Sequence, residues 1–222
     1  MPDSYPAPLD DARLGATWDA AWLSLGRPAP TALRAELMAA WSEPHRHHHD
    51  PRHLRECLAL WTCWRDHCER AGEVALALWF HDAVLDPRAR HPGLNEIRSA
   101  AWAARSLVRA GANSITAQRV HDLVMATQHD APTASGSDRD AQLLVDIDLA
   151  ILGSPAERFE RYDQDVRKEC ASVPGFQYVQ ARTQMLQGFL DRPRLYHGEA
   201  AVALLERQAR LNLADALSRL AQ

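Results

Sequence analysis

Val74-Ala75-Leu76-Ala77-Leu78-Trp79-Phe80-His81-Asp82-Ala83-Val84 is apolar on every face of a helix until an imidazole and a carboxylate interrupt it side by side. A helix that is apolar all round has no face to give to solvent, so the segment 73–84 belongs at the centre of the molecule, with other elements packed around it. A carboxylate in such surroundings is costly to desolvate unless a cation or strong hydrogen bonds compensate it. His81 and Asp82 are therefore expected to meet a metal ion or an arginine.

Outward from this segment, apolar residues recur at helical spacing and no stretch alternates in the manner of a strand. Helices are predicted over about 9–25, 31–41, 52–70, 94–109, 114–128, 138–152, 155–170, 176–190 and 199–220, with Thr31 capping the second. Breakers fall between them: Gly26-Arg27-Pro28, Ala71-Gly72, Gly153-Ser154-Pro155 and Pro174-Gly175. The stretch 42–51 reads as a loop or helix junction and 130–138 as a polar loop. The expected fold is all-α, one bundle of about eight to ten helices forming a single domain over 1–222.

At 222 residues the chain is long enough for a sizeable core, and 24% charged residues with a net charge of −4 make an ordinary globular composition. A duplex nucleic-acid surface is not expected, because such surfaces are basic overall. Of the 25 basic residues only Lys168 is lysine, so planar guanidinium forks are abundant. No apolar run approaches the ~20 residues that span a bilayer, and the first residues are not a leader, so a cytoplasmic protein without membrane contact is expected. Cys57, Cys63, Cys68 and Cys170 form no CxxC pair and read as reduced thiols.

Five of the eleven histidines crowd into Pro44-His45-Arg46-His47-His48-His49-Asp50-Pro51-Arg52-His53, a segment able to bind first-row metals, or else a solvated polar loop. A third acidic site interrupts the aliphatic stretch Leu143-Leu144-Val145-Asp146-Ile147-Asp148-Leu149. Residues two apart on a helix point roughly 200° apart, so one aspartate is a ligand and the other a support or surface group. Two imidazoles and two carboxylates suit a divalent ion such as Mn²⁺, Fe²⁺, Co²⁺, Ni²⁺ or Mg²⁺. Zinc ranks lower for want of thiolate ligands, and a second ion stays open.

The order His49, His81-Asp82, Asp148 resembles the metal signature of the HD-domain superfamily of phosphohydrolases. Trp41–Leu54, Trp79–Val84, Asn95–Ala100, Asp146–Gly153 and Glu206–Leu213 look like diverged segments of its predicted metal-dependent phosphohydrolase subgroup, so the likeness spans nearly the whole chain. The subgroup usually has Tyr-His-Asn where this chain has His48-His49-Asp50, and Tyr in place of Trp41. The resemblance implies an HD-like bundle in which N-terminal helices (about 8–41) and C-terminal helices (about 155–221) pack on a metal-site core. Its implied ligands are His49, His81, Asp82 and Asp148, the last preferred to Asp146 because related proteins use the second aspartate of an Asp-x-Asp element.

It also implies roles around the ion. Arg46, three residues before His49, is the candidate for bidentate phosphate contact. The residues themselves, apart from the resemblance, make His53, one helical turn after His49, a candidate acid or phosphate donor, and His129, at a helix end, a candidate ligand of a second ion or acid to the leaving group. Glu96 matches a position that orients water or holds a ligand, and Arg210 and Asn212 match positions that cover the site. The implied activity is hydrolysis of a phosphoester or phosphoanhydride, of a nucleotide or another small phosphorylated substrate, by a metal-activated water. Two rivals stay open: a di-iron oxygenase, with His53 and His129 completing a second site, and a metal-stabilised binding or regulatory module without turnover. A homodimer is also open.

Overall fold

The computed structural model describes residues 4–87, 89, 93–128 and 138–221. Among these residues every regular element is helical and no strand occurs. The helices are α1 (Asp11–Ser24), α2 (Thr31–Trp41), α3 (Pro51–Trp64), α4 (Ala71–Phe80), α5 (Leu94–Arg109), α6 (Ser114–Met125), α7 (Arg139–Asp148), α8 (Ala156–Glu169) and α9 (Gly175–Leu190). A tenth run, α10, spans 199–220 and contains a π-helical turn at Val202–Glu206. No helix among the described residues is long and apolar enough to cross a membrane. Contacts divide the chain into two compact units, Pro6–Val145 and Asp146–Gln222 with Met1–Tyr5. The division falls inside α7, where neither a breaker nor a shift in composition marks it in the sequence.

In the unit 6–145, α4 is the centre that its composition demands: every residue from Gly72 to Phe80 is buried, and the helix touches α1, α3, α5 and α6. Trp18 meets Trp22 and Trp79 edge-on, with centroids 5.6 and 5.1 Å apart, the arrangement that ring quadrupoles favour. Trp79 donates from Nε1 to Thr17 Oγ1 at 3.3 Å, and Trp41 donates to the Trp79 carbonyl at 3.1 Å. Gly72 permits the close approach of α1 and α4, because a Cβ there would collide with Ser24 Oγ and stand 3.0 Å from the Ala21 carbonyl.

Several helix ends differ from the periodic reading. Thr31 is the first residue of α2 rather than its cap; Pro30 holds the cap position and makes no side-chain bond. α3 is capped by Asp50, whose carboxylate accepts from the amides of Arg52 and His53 while Pro51 occupies the first helical position. It ends at Trp64, short of the expected Arg70, and a 3₁₀ turn follows at Arg65–His67. α4 stops at Phe80 instead of Val84, so His81 and Asp82 stand at the end of the helix and not within it. The imidazole of His81 takes the Leu78 carbonyl, and Arg46 takes the carbonyls of Asp82 and Ala83, which removes acceptors that a continuing helix would use.

In the unit 146–222, a 3₁₀ segment (Leu149–Gly153) packs against the π turn and the helix following it. A Cβ on Gly153 would lie 2.7 Å from the Leu205 carbonyl, so this approach needs glycine. Asn212 donates to the carbonyls of Leu152 and Ser154, both at 2.8 Å, and Arg210 donates to those of Leu190, Arg192 and Pro193. These two residues, expected to cover the functional site, clamp backbone within their own unit.

Candidate metal centre

Three imidazole nitrogens gather about one carboxylate oxygen in the unit 6–145. Nε2 of His81, His53 and His49 lie 3.1, 3.8 and 3.9 Å from Asp82 Oδ2. His53 comes from the first turn of α3, positioned by the Asp50 cap; His49 comes from the junction before it; His81 and Asp82 come from the end of α4. His81 and His53 form a floor with 1% and 2% exposure, whereas the side chains of His49 and Asp82 keep 30% and 19% and open the cluster to solvent. His48 is buried beside them, its ring centroid 4.6 Å from those of both His49 and His53.

The protonation of His81 follows from its partners. Leu78 O can only accept, so Nδ1, 2.8 Å away, carries the proton and donates it. In the neutral ring Nε2 then holds a lone pair, as does its neighbour Asp82 Oδ2 at 3.1 Å. Two lone pairs facing each other at this distance repel unless a cation or a proton compensates them, and His53 Nε2, 3.2 Å from His81 Nε2, is placed either to share that cation or to donate that proton. A backbone carbonyl orienting the far nitrogen is also the usual support of a metal-binding histidine. His53 Nε2 is 3.2 Å from His81 Nε2, and two nitrogens bound at about 2.0–2.1 Å to one ion stand about 3 Å apart. The donor set therefore fits a divalent ion.

Cys57, absent from the expected ligands, belongs to this cluster. Ligand atoms of His53, Cys57 and His81 lie within 4.8 Å of one another, and these residues could hold a metal ion. The signal in the sequence is His53-x-x-x-Cys57, one turn apart on a helix.

Other expected residues have different placements. Arg46 is not presented as a phosphate contact: its side chain has no exposed surface, and it donates to Glu43 Oε2 (3.1 Å) and the carbonyls of His49 (3.0 Å), Asp82 (2.8 Å) and Ala83 (3.0 Å). Its guanidinium also lies 5.6 Å over the Trp41 ring. It clamps the two chain segments that carry the cluster. Glu96 is half-buried in the first turn of α5. His129 lies outside the described residues.

Asp146 and Asp148 belong to the other unit. Asp146 is fully buried, and its carboxylate accepts from the amides of His197 (2.8 Å) and Gly198 (2.7 Å) and faces His197 Nδ1 at 3.0 Å. This carboxylate holds the turn that starts α10. Asp148 is the half-buried last residue of α7. Comparison with known protein families, curated proteins and solved structures finds no match to this chain.

Proposed function

We propose that this protein is a metal-dependent phosphohydrolase that cleaves a phosphoester or phosphoanhydride of a small substrate, a nucleotide being the first class to test. The observation that supports it most is the convergence of three imidazole nitrogens on Asp82 Oδ2, with His81 held by Leu78 O in the tautomer that a ligand needs. The chain order of His49, His81-Asp82 and Asp148 and the likeness to HD phosphohydrolases set the reaction class; site chemistry, not fold, must test it.

His49, His81 and Asp82 would hold the ion, with His53 in the same set. Asp82 is the carboxylate of the set within the unit 6–145, while Asp146 is engaged by backbone amides of its own unit. A divalent ion supplies Lewis acidity toward a phosphoryl oxygen and lowers the pKa of water. A substrate reaches the cluster from the side of His49 and Asp82, because His53 and His81 are closed off. Buried His53 thus serves the ion rather than the leaving group. Arg46 keeps the His49 and Asp82 backbones in register, and its Lys variant should lose activity through displaced ligands.

The third imidazole also suits the rival di-iron oxygenase, so metal content decides. Elemental analysis of purified protein beside Asp82→Ala, with a phosphate-release screen under Mn²⁺, Mg²⁺, Co²⁺, Ni²⁺ and Zn²⁺, is the test. Bound metal that Asp82→Ala loses, together with metal-dependent phosphate release, is the expected result. Two irons per chain without phosphate release would establish the oxygenase instead. Bound metal with no turnover of any kind would leave a binding or regulatory module, and a metal-free protein would overturn the centre.

A further inference from the structure

We infer that Cys57 is a thiolate ligand of this centre, which makes it a site for a borderline ion that accepts sulfur, Zn²⁺ or Co²⁺, in preference to Mg²⁺ or Mn²⁺. The inference rests on the preceding reading that the cluster holds an ion. Cys57 Sγ lies 3.7 Å from each ring nitrogen of His53, and one ligand atom from each of His53, Cys57 and His81 falls within a common 4.8 Å. Sulfur at about 2.3 Å and nitrogen at about 2.0–2.1 Å from one zinc ion stand less than about 4 Å apart, which the observed separation matches.

Position favours the same role. Cys57 follows His53 by one turn, so both side chains leave one face of α3, the helix that packs on α4 with its terminal His81. Cys57 is 1% exposed, whereas Cys63, farther along α3, is exposed to solvent. A buried sulfur among imidazoles is a soft donor in a mixed N/S set, and thiolate with imidazole selects zinc and cobalt over hard oxygen-seeking ions. Coordination forms one metal–sulfur bond in place of the S–H bond, the proton passes to buffer, and no electron moves. The competing role for the thiol, a weak S–H bond to His53, leaves no metal–sulfur signature.

The full chain, reduced and without oxygen, is titrated with Co²⁺ and followed in the visible and near-ultraviolet. The expected result is Co²⁺ binding in the wild type with a thiolate-to-cobalt charge-transfer band. That band is lost in Cys57→Ser and Cys57→Ala, while the cobalt d–d bands remain, and it is kept in Cys63→Ser. Circular dichroism checks that the variants fold. X-ray absorption of the zinc-loaded wild type needs no variant and should show a sulfur scatterer at about 2.3 Å. Cobalt d–d absorption without the charge-transfer band, a band that survives both Cys57 variants, or a zinc shell of nitrogen and oxygen alone overturns the role of Cys57 and leaves the ion site standing. Failure of the wild type to bind either ion overturns both readings.

Discussion

Arg46 holds together two segments that no regular element joins, donating to the carbonyls of His49, Asp82 and Ala83 from a side chain without exposed surface. Removing such a group strands buried acceptors, and breaking a buried charged interaction costs about 3–5 kcal/mol. Arg46→Ala should therefore lower stability by about 3 kcal/mol in equilibrium urea unfolding. Arg46→Lys should recover little, because one ammonium cannot span three carbonyls. A loss under about 1 kcal/mol is the behaviour of a surface arginine and would refute the clamp. Cysteine reactivity gives a second residue-scale prediction. Burial, then the carboxylates of Asp140 and Asp66, push the Cys68 thiol from 9.0 up to about 12. Thiolate is the reacting species, so between about pH 7 and 9 exposed Cys63 should be modified well before Cys68, as mass spectrometry of peptides from timed labelling would show. The native state holds the Cys68 proton more tightly than the unfolded chain. Its effect on stability is therefore nil well below 9.0 and unfavourable as pH climbs from there toward about 12. Equal labelling rates at both sites would contradict the burial of Cys68.

Helix starts carry the next level of control. Asp50 satisfies the Arg52 and His53 amides at the entrance of α3 and so fixes the turn from which His53 reaches the cluster. Asp50→Ala should cost about 1 kcal/mol and weaken metal retention, whereas Asp50→Ser should restore most of both; unchanged stability in the alanine variant would show that α3 needs no cap. At the start of α7, Asp138 accepts from the amides of Asp140 and Ala141, and both of its oxygens are paired with Arg119. The Arg119 guanidinium, chiefly, holds the Asp138 carboxyl below its usual 3.8. A depressed carboxyl stabilises the fold at neutral pH, and the contribution is lost as pH falls from 3.8 through the folded value. The stability gap between wild type and Asp138→Asn should thus be widest near neutrality and close on acidification, which urea titrations at stepped pH would measure; a gap independent of pH would exclude the charge effect. The same elements show what the sequence reveals. The bounds of α2, the burial of α4 and the need of His81 and Asp82 for a compensating partner were readable, because polar groups beside an apolar helix need compensation; His49 came only from the likeness to HD phosphohydrolases. Arg46 was misread because its carbonyl partners lie 36 and 37 positions along the chain. Asp146 was ambiguous for a like reason, with partners 51 and 52 positions away. Cys57 was hidden because one cysteine on the apolar face of α3 looks like any core residue until His81 is brought against it.

Ligand binding to the native state should register across a whole cooperative unit, and the distribution of tryptophan makes this measurable. All seven tryptophans lie between Trp18 and Trp102, within the unit 6–145 that carries His49, His53, Cys57, His81 and Asp82. Five of them, Trp18, Trp22, Trp41, Trp64 and Trp79, are fully buried, so intrinsic fluorescence reports the opening of that unit, while far-ultraviolet circular dichroism averages over both. An ion that binds only the folded state at 100 times its Kd adds about 2.7 kcal/mol to stability, less whatever affinity the loosened histidines and cysteine of the unfolded chain retain. With Zn²⁺ or Co²⁺ present, the fluorescence midpoint in urea should therefore move upward, and a chelator should return it to the metal-free value. Asp82→Ala removes the carboxylate on which the imidazoles converge, and its midpoint should respond little to the ion. Trp41, whose ring centroid is 5.4 Å from that of His81, should also change its emission in the native state when the ion binds, before any unfolding occurs. A midpoint that ignores the ion in the wild type, or that shifts equally in Asp82→Ala, would mean that any bound metal resides elsewhere on the chain, and the cluster would have to be read as a hydrogen-bonded network of imidazoles around Asp82.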